Sequence, residues 1–163
     1  MKGGIPTLSD YLWNLRAKIG NELIQLPSVA AVILNANDQI LLQEKDGAQG
    51  WSLPAGVIEL AETPQEALAR QVRENTGLEL LCSQLLDVYG GKAFRYIYPN
   101  GDEVEYTVIV FYCVTEGQLS VPDKQKGTLR YFSRSQMPSL ALPYPREALF
   151  RHSRANPSAA IAE

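Results

Sequence analysis

Histidine occurs once in this chain, at His152, and cysteine twice, at Cys82 and Cys113. Both cysteines lie in apolar stretches, where buried, reduced thiols are expected rather than a disulfide, a metal site or a nucleophile. The lone histidine borders a polar, alanine-rich terminus and makes a poor catalytic base. Positive charge is not in excess either. The formal net charge of −3 provides no broad basic field, so nucleic acid is disfavoured as a main partner. No apolar run approaches bilayer-spanning length, and the opening MKGGIPTLSDYLWN has no long apolar core of a signal segment. A cytoplasmic protein without a membrane partner is the expectation. Gly-x-Gly-x-x-Gly, a phosphate loop ending in Gly-Lys-Ser/Thr, and His-Glu-x-x-His are all absent, so nothing suggests a Rossmann sheet. No internal repeat or inter-domain linker interrupts the chain.

What is present is an ordinary globular composition. The 163 residues are 45% hydrophobic and 20% charged, which fits a single domain able to bury a real core without staples. Leu8, Tyr11, Leu12, Leu15 and Ile19 recur at helical spacing before Gly20. They predict an amphipathic helix within residues 1–27, whose stripe covers either its own domain or a second copy in a homodimer. The main domain is expected over residues 28–150, and residues 151–163 read as a disordered tail.

Within the main domain, Val29–Leu34 and Ile40–Gln43 flank Asn35-Ala-Asn-Asp38 and read as a hairpin. Trp51–Leu53 is a short strand and Glu79–Tyr89 a longer one. Ala93–Tyr98 and Glu103–Val114 flank Pro99-Asn-Gly-Asp102, a strong hairpin signal. The second arm is nearly all apolar and should be central and buried on both faces. Thr128–Phe132 adds a strand, and a short helix follows near Pro145. Helix, strands, helix, strands, helix, without regular βαβ alternation, predicts an α+β fold: an α/β/α sandwich with a mixed sheet packed between helices.

Between these strands lies GVIELAETPQEALARQVRENTGL, residues 56–78. Thr63 is a suitable N-cap, Pro64 suits the first helical position, and Glu66 completes a capping box. Gly77 is the expected terminating glycine. The stretch resembles the signature of the Nudix hydrolases: glycine, five residues, glutamate, seven residues, then Arg-Glu-aliphatic-x-Glu-Glu-x-Gly-aliphatic. Gly56, Glu62, Arg70, Val72, Glu74, Gly77 and Leu78 fall on that pattern without a gap, and the element order agrees over roughly residues 28–150.

The resemblance implies a Nudix-like fold and metal-assisted hydrolysis of a nucleoside diphosphate linked to another moiety. It also implies that Arg70 pairs with Glu62 and that Gly56 and Gly77 serve backbone geometry. Two positions depart from the pattern: Gln71 and Asn75 stand where glutamates belong. In the family, three carboxylates on one helix face gather Mg²⁺ or Mn²⁺ against the diphosphate. Here that face keeps only Glu74, between two neutral amides. The expected catalytic set is Glu74, Glu62 and Arg70, with Glu74 as the surviving metal ligand and Glu59 and Glu62 as candidate helpers. Glu66, Glu103 and Glu105 are further acids whose simpler roles are capping or solvation.

Metal binding should be weak and hydrolysis weak or lost. A second reading therefore stands beside the hydrolase: a catalytically silent nucleotide-binding or regulatory module that keeps the fold. Phe94, Tyr96 and Tyr98 alternate on one side of their strand and are candidates to stack on a nucleobase. Lys92 and Arg95 are candidates to meet phosphate, as are Lys124 and Lys126. A small-molecule nucleotide derivative is the expected partner, and its identity is not written in the motif.

Overall fold

Leu12, Leu15 and Ile19 lie on one stripe of helix α1 (Leu8–Ile19) and pack against Ile24, Leu26 and Val104. The helix thus covers the end of its own sheet, while Trp13 on the opposite side is 79% exposed. The computed structural model describes residues 8–44, 50–120 and 127–153, and for residues 8 and 9 only the backbone. The elements that follow α1 are β1 (Ile24–Ile33), β2 (Ile40–Glu44), β3 (Trp51–Ser52), β4 (Ala55–Val57), α2 (Pro64–Thr76), β5 (Glu79–Tyr89), β6 (Arg95–Ile97), β7 (Glu103–Glu116), β8 (Thr128–Phe132) and α3 (Arg146–Leu149).

They form an α+β domain with a mixed main sheet of order β4-β1-β7-β5, in which β6 also pairs with β7. The β1–β7 pair is parallel, and the other pairs of that sheet are antiparallel. A smaller antiparallel sheet has the order β3-β2-β8. One face of the main sheet (Val29, Ala31, Ile33, Phe111) is covered by Ala67, Leu68 and Val72 of α2. The other face (Ala30, Val32, Val108, Val110) packs against Ile40, Leu42, Tyr144 and Leu149. Alternation along β1 and β7 therefore feeds two cores, as expected of central strands.

Four expectations need correction. The segments 29–34 and 40–43 are joined by the expected turn, Asn35 donating to the Gln39 carbonyl at 3.0 Å, but pair only at the bridge Leu34–Ile40: β2 leaves for the second sheet, while β1 pairs with β7 along its length and with β4 at Ser28–Ala30. Of Phe94, Tyr96 and Tyr98, only Tyr96 lies on a strand, β6, which ends at Ile97; Phe94 stands apart. It ends a 3-10 turn, Lys92–Phe94, and is buried against Tyr89 and Tyr144. Cys82 is exposed because β5 is an edge strand, whereas Cys113 on β7 is buried and its thiol is pushed up to about 12 by desolvation.

The disordered tail was expected from residue 151, yet the chain stays packed through Ser153. Arg151 donates to the Leu86 carbonyl at 3.1 Å and His152 stacks on Tyr112; residues 154–163 lie outside the described residues. No helix among the described residues is long and apolar enough to cross a membrane.

Candidate functional site

The loop and helix of residues 56–78 are fixed at both ends by local chemistry. The Thr63 hydroxyl accepts from the Glu66 amide at 3.2 Å, and the Glu66 carboxylate accepts from the Thr63 amide at 2.8 Å. Those bonds hold the Glu66 carboxyl below its ordinary range and commit it to capping. At the other end Gly77 adopts φ 73°, and a Cβ there would sit 2.9 Å from the Ser120 carbonyl, so glycine is required.

Arg70 ties loop to helix. Its Nε donates to Glu62 Oε1 at 2.7 Å and its Nη2 to Glu62 Oε2 at 2.8 Å, with a further bond to the Val57 carbonyl at 3.1 Å. The same guanidinium reaches Glu74 at 3.4 Å and Glu59 at 3.8 Å. The hydrogen bonds from Arg70 hold Glu62 below the usual carboxylate range, and Glu62 in turn raises Arg70. All three acids named as candidate ligands are therefore gathered around one cation. Glu74 turns towards Arg70 and is about half exposed.

Gln71 and Asn75 lie on a different side and bond to each other. Asn75 Nδ2 donates to Gln71 Oε1 at 2.9 Å and to the Ala55 carbonyl at 3.3 Å. Gln43 Nε2, fully buried in β2, donates to Asn75 Oδ1 at 3.5 Å. The Gln71 amide closes over Gly56, where a Cβ would fall 2.1 Å from its nitrogen. A chain of neutral amides thus joins β2, α2 and β4. Gln43 was missed by sequence reasoning; its only signal was a polar residue ending an apolar strand run.

This donor set does not fit Mg²⁺ or Mn²⁺. Hard cations need charged oxygens, and two of the helix positions that supply them in the family present amides engaged with each other. Among the described residues, no group of three or more acidic, histidine or cysteine side chains could hold an ion. Glu103 and Glu105 do not join the site: Glu105 pairs with Arg95 at 2.7 Å, and Arg95 holds its carboxyl below the ordinary range. Lys124 and Lys126 lie outside the described residues.

Across β4 from the amide chain lies a pocket of about 290 Å³. Ser28, Ala55, Gly56 and Val57 form one side, and Tyr96, Tyr98, Tyr106 and Tyr144 supply aromatic walls. The Tyr96 and Tyr98 rings meet edge to face at 4.8 Å. The Tyr98 and Tyr106 hydroxyls are hydrogen-bonded, and burial raises both Tyr106 and Tyr144 well above the ordinary phenol range. Arg95 does not line this pocket. Among the described residues that line it, none carries a formal charge.

Comparison with known proteins bears on the family and the fold. The NUDIX domain family model matches residues 25–152. A putative 8-oxo-dGTP diphosphatase of Bacillus subtilis is 28% identical over 112 residues, 69% of each chain. An RNA pyrophosphohydrolase of Acinetobacter baylyi is 35% identical over 83 residues, 48% of this chain and half of that relative's length. Among solved structures, a UDP-X diphosphatase superposes with a TM-score of 0.60 at 22% identity, covering 88% of this chain and 70% of the other. The MutT NUDIX hydrolase of Burkholderia pseudomallei also gives 0.60, at 21% identity, covering 80% and 98%. At such identities the structural likeness shows the fold alone.

Proposed function

The chain belongs to the Nudix family, and from that premise we propose that it binds a nucleoside diphosphate linked to another moiety without metal, with hydrolysis weak at most. The observation that carries this reading is the amide chain Gln43–Asn75–Gln71 closed over Gly56. Three carboxylates on that face would repel a diphosphate unless cations lay between them. Two amides remove that repulsion and are satisfied by each other and by the Ala55 carbonyl. The same change removes the charge that would hold the metal, and with it the activation of water and the neutralisation of the leaving group.

The remaining parts suit binding. Tyr96 and Tyr98 present ring faces and edges of the kind on which a nucleobase stacks. The Ser28 hydroxyl donates to the Gly56 carbonyl at 2.8 Å, fixing the strand between the pocket and the amides. Arg70 keeps the loop of Glu59 and Glu62 in register with the helix, which makes it a positioning residue.

The test is calorimetric titration of the full chain with ADP-ribose, UDP-glucose and ADP, each with EDTA and with Mn²⁺, followed by an assay for diphosphate cleavage. The expected result is binding that EDTA does not weaken and turnover near background. Metal-dependent turnover abolished by EDTA would instead support the hydrolase reading, with Glu74, Glu59 and Glu62 leaving Arg70 to take the ion. Absence of binding by any nucleotide would overturn both readings.

A further inference from the structure

A second cavity, of about 430 Å³, adjoins the tyrosine-lined pocket and shares Val57, Tyr98 and Tyr106 with it. The partition between them is made of side chains, the hydrogen-bonded hydroxyls of Tyr98 and Tyr106. Ile24 and Leu26 of β1 and Val104 of β7 form the floor of the second chamber, and Leu12 and Arg16 of α1 form its outer wall. Helix α1 lies before the residues 25–152 matched by the family model. The second chamber is therefore walled on one side by a helix outside the matched span and on the others mainly by strands within it.

Its chemistry is apolar. Among the described residues, Arg16 and Asp102 are the charged ones in its lining, and both are committed. Arg16 Nε faces Asp102 at 3.5 Å, and its remaining nitrogens donate to the carbonyls of Gly20, Glu22 and Glu103 at 3.0, 2.5 and 2.9 Å. Asp102 also accepts from Asn100 Nδ2 at 3.1 Å. Neither offers charge to a ligand. A phosphate or carboxylate entering this space would lose water without gaining a counter-ion, and a sugar would leave most of its hydroxyls unpaired. An apolar or aromatic ring meets aliphatic walls of suitable size.

We infer that this chamber binds an apolar or aromatic ring carried as the second moiety of the nucleoside diphosphate, while the nucleobase occupies the tyrosine-lined pocket. The inference rests on the nucleotide-binding reading above. The diphosphate, passing over the exposed side of Tyr98, stays in water outside both chambers and joins groups seated on either side of the hydroxyl pair, and α1 acts as the specificity element.

The experiment is calorimetry on the full chain with ADP, ADP-ribose and the β-phenyl ester of ADP. The phenyl ester is expected to bind at least about ten-fold more tightly than ADP-ribose. Leu12→Trp, which fills the chamber, should erase that difference while leaving the affinity for ADP unchanged. Leu12→Lys, which brings an ammonium to the wall, provides the same comparison if the tryptophan variant does not fold. Equal binding of phenyl ester and ADP-ribose, or a loss of phenyl-ester and ADP binding in parallel, overturns the inference and leaves the nucleotide reading intact. Failure of all three ligands to bind the unmodified chain overturns the nucleotide reading and this inference with it.

Discussion

Arg70 and Glu62 are joined by two hydrogen bonds, Nε to Oε1 at 2.7 Å and Nη2 to Oε2 at 2.8 Å, across eight residues of sequence. The pair is partly buried, with side-chain exposures of 21% and 14%. It fastens the loop 57–62 to α2 independently of any bound ion. The tie between loop and helix therefore stands without carboxylates at positions 71 and 75.

The pair sets an acid limit on stability. Glu62 titrates below its ordinary value of 4.5 in the fold, chiefly through its hydrogen bonds to Arg70. Its contribution is fully present above the unfolded value and is lost as pH falls through the lower folded value. Glu62→Gln is expected to destabilise by about 1.5–3 kcal/mol at neutral pH and to flatten the fall in stability below pH about 4.5. Urea unfolding between pH 3 and 7 reads both effects.

Restoring the family carboxylates should make the fold respond to metal. Asn75 is 5% exposed and its amide lies 2.9 Å from that of Gln71, so Gln71→Glu with Asn75→Glu sets two like charges against each other, one of them at a nearly dry position. The double variant is expected to melt several degrees lower in EDTA and to recover with millimolar Mn²⁺, whereas the unmodified chain shifts by less than about 1 °C. Thermal scans with and without Mn²⁺ decide it. An equal shift in the unmodified chain would show that its residues hold metal after all.

Gly56 has no room for a methyl group. Gly56→Ala drives a Cβ to within 2.4 Å of three atoms of the Gln71 carboxamide, which must swing away and give up its bond from Asn75. The expected cost is about 1–3 kcal/mol, measured by denaturant unfolding. The cost should fall in the Gln71→Ala background, where the obstructing amide is gone.

The aromatic wall should carry nucleobase affinity. Tyr96→Ala is expected to weaken ADP binding by roughly ten-fold, in line with about 1–3 kcal/mol per stacked base. Tyr96→Phe should retain most of the affinity. Equal losses in the two variants would point to the hydroxyl rather than the ring.

Ala61 holds a left-handed backbone, φ 63°, between Glu59 and Glu62. A β-carbon in that region costs about 1–2 kcal/mol, so Ala61→Gly is expected to raise stability by about 0.5–1 kcal/mol after the added freedom of the unfolded chain is subtracted. A rise in the denaturant midpoint with unchanged slope checks it.

Much of this was written locally. The caps at Thr63, Glu66 and Gly77 depend on bonds reaching no more than four residues, so residue type and spacing suffice to foresee them. The apolar faces of Leu68 and Val72 follow from helical periodicity for the same reason. The two-sided burial of β7 holds over its middle, where the apolar run is longest, and lapses at exposed Val114. The Arg70–Glu62 pair was reached through the motif.

The tertiary structure decided what depends on contacts far apart in sequence. Gln43 is 32 residues from Asn75, and no local pattern shows that a strand of the second sheet delivers it to the helix. The turn expected at residues 35–38 forms, yet its arms part after one bridge because β2 pairs with β8 and β3 in the second sheet. Glu74 shares a helix with Gln71 and Asn75, yet it turns to Arg70 one turn away, where opposite charge outweighs a place beside two amides. The sequence by itself determined the family and the absence of two carboxylates. Only packing decided that the two replacements bond to each other over Gly56, because hydrogen bonds between side chains are settled by where the backbone carries them.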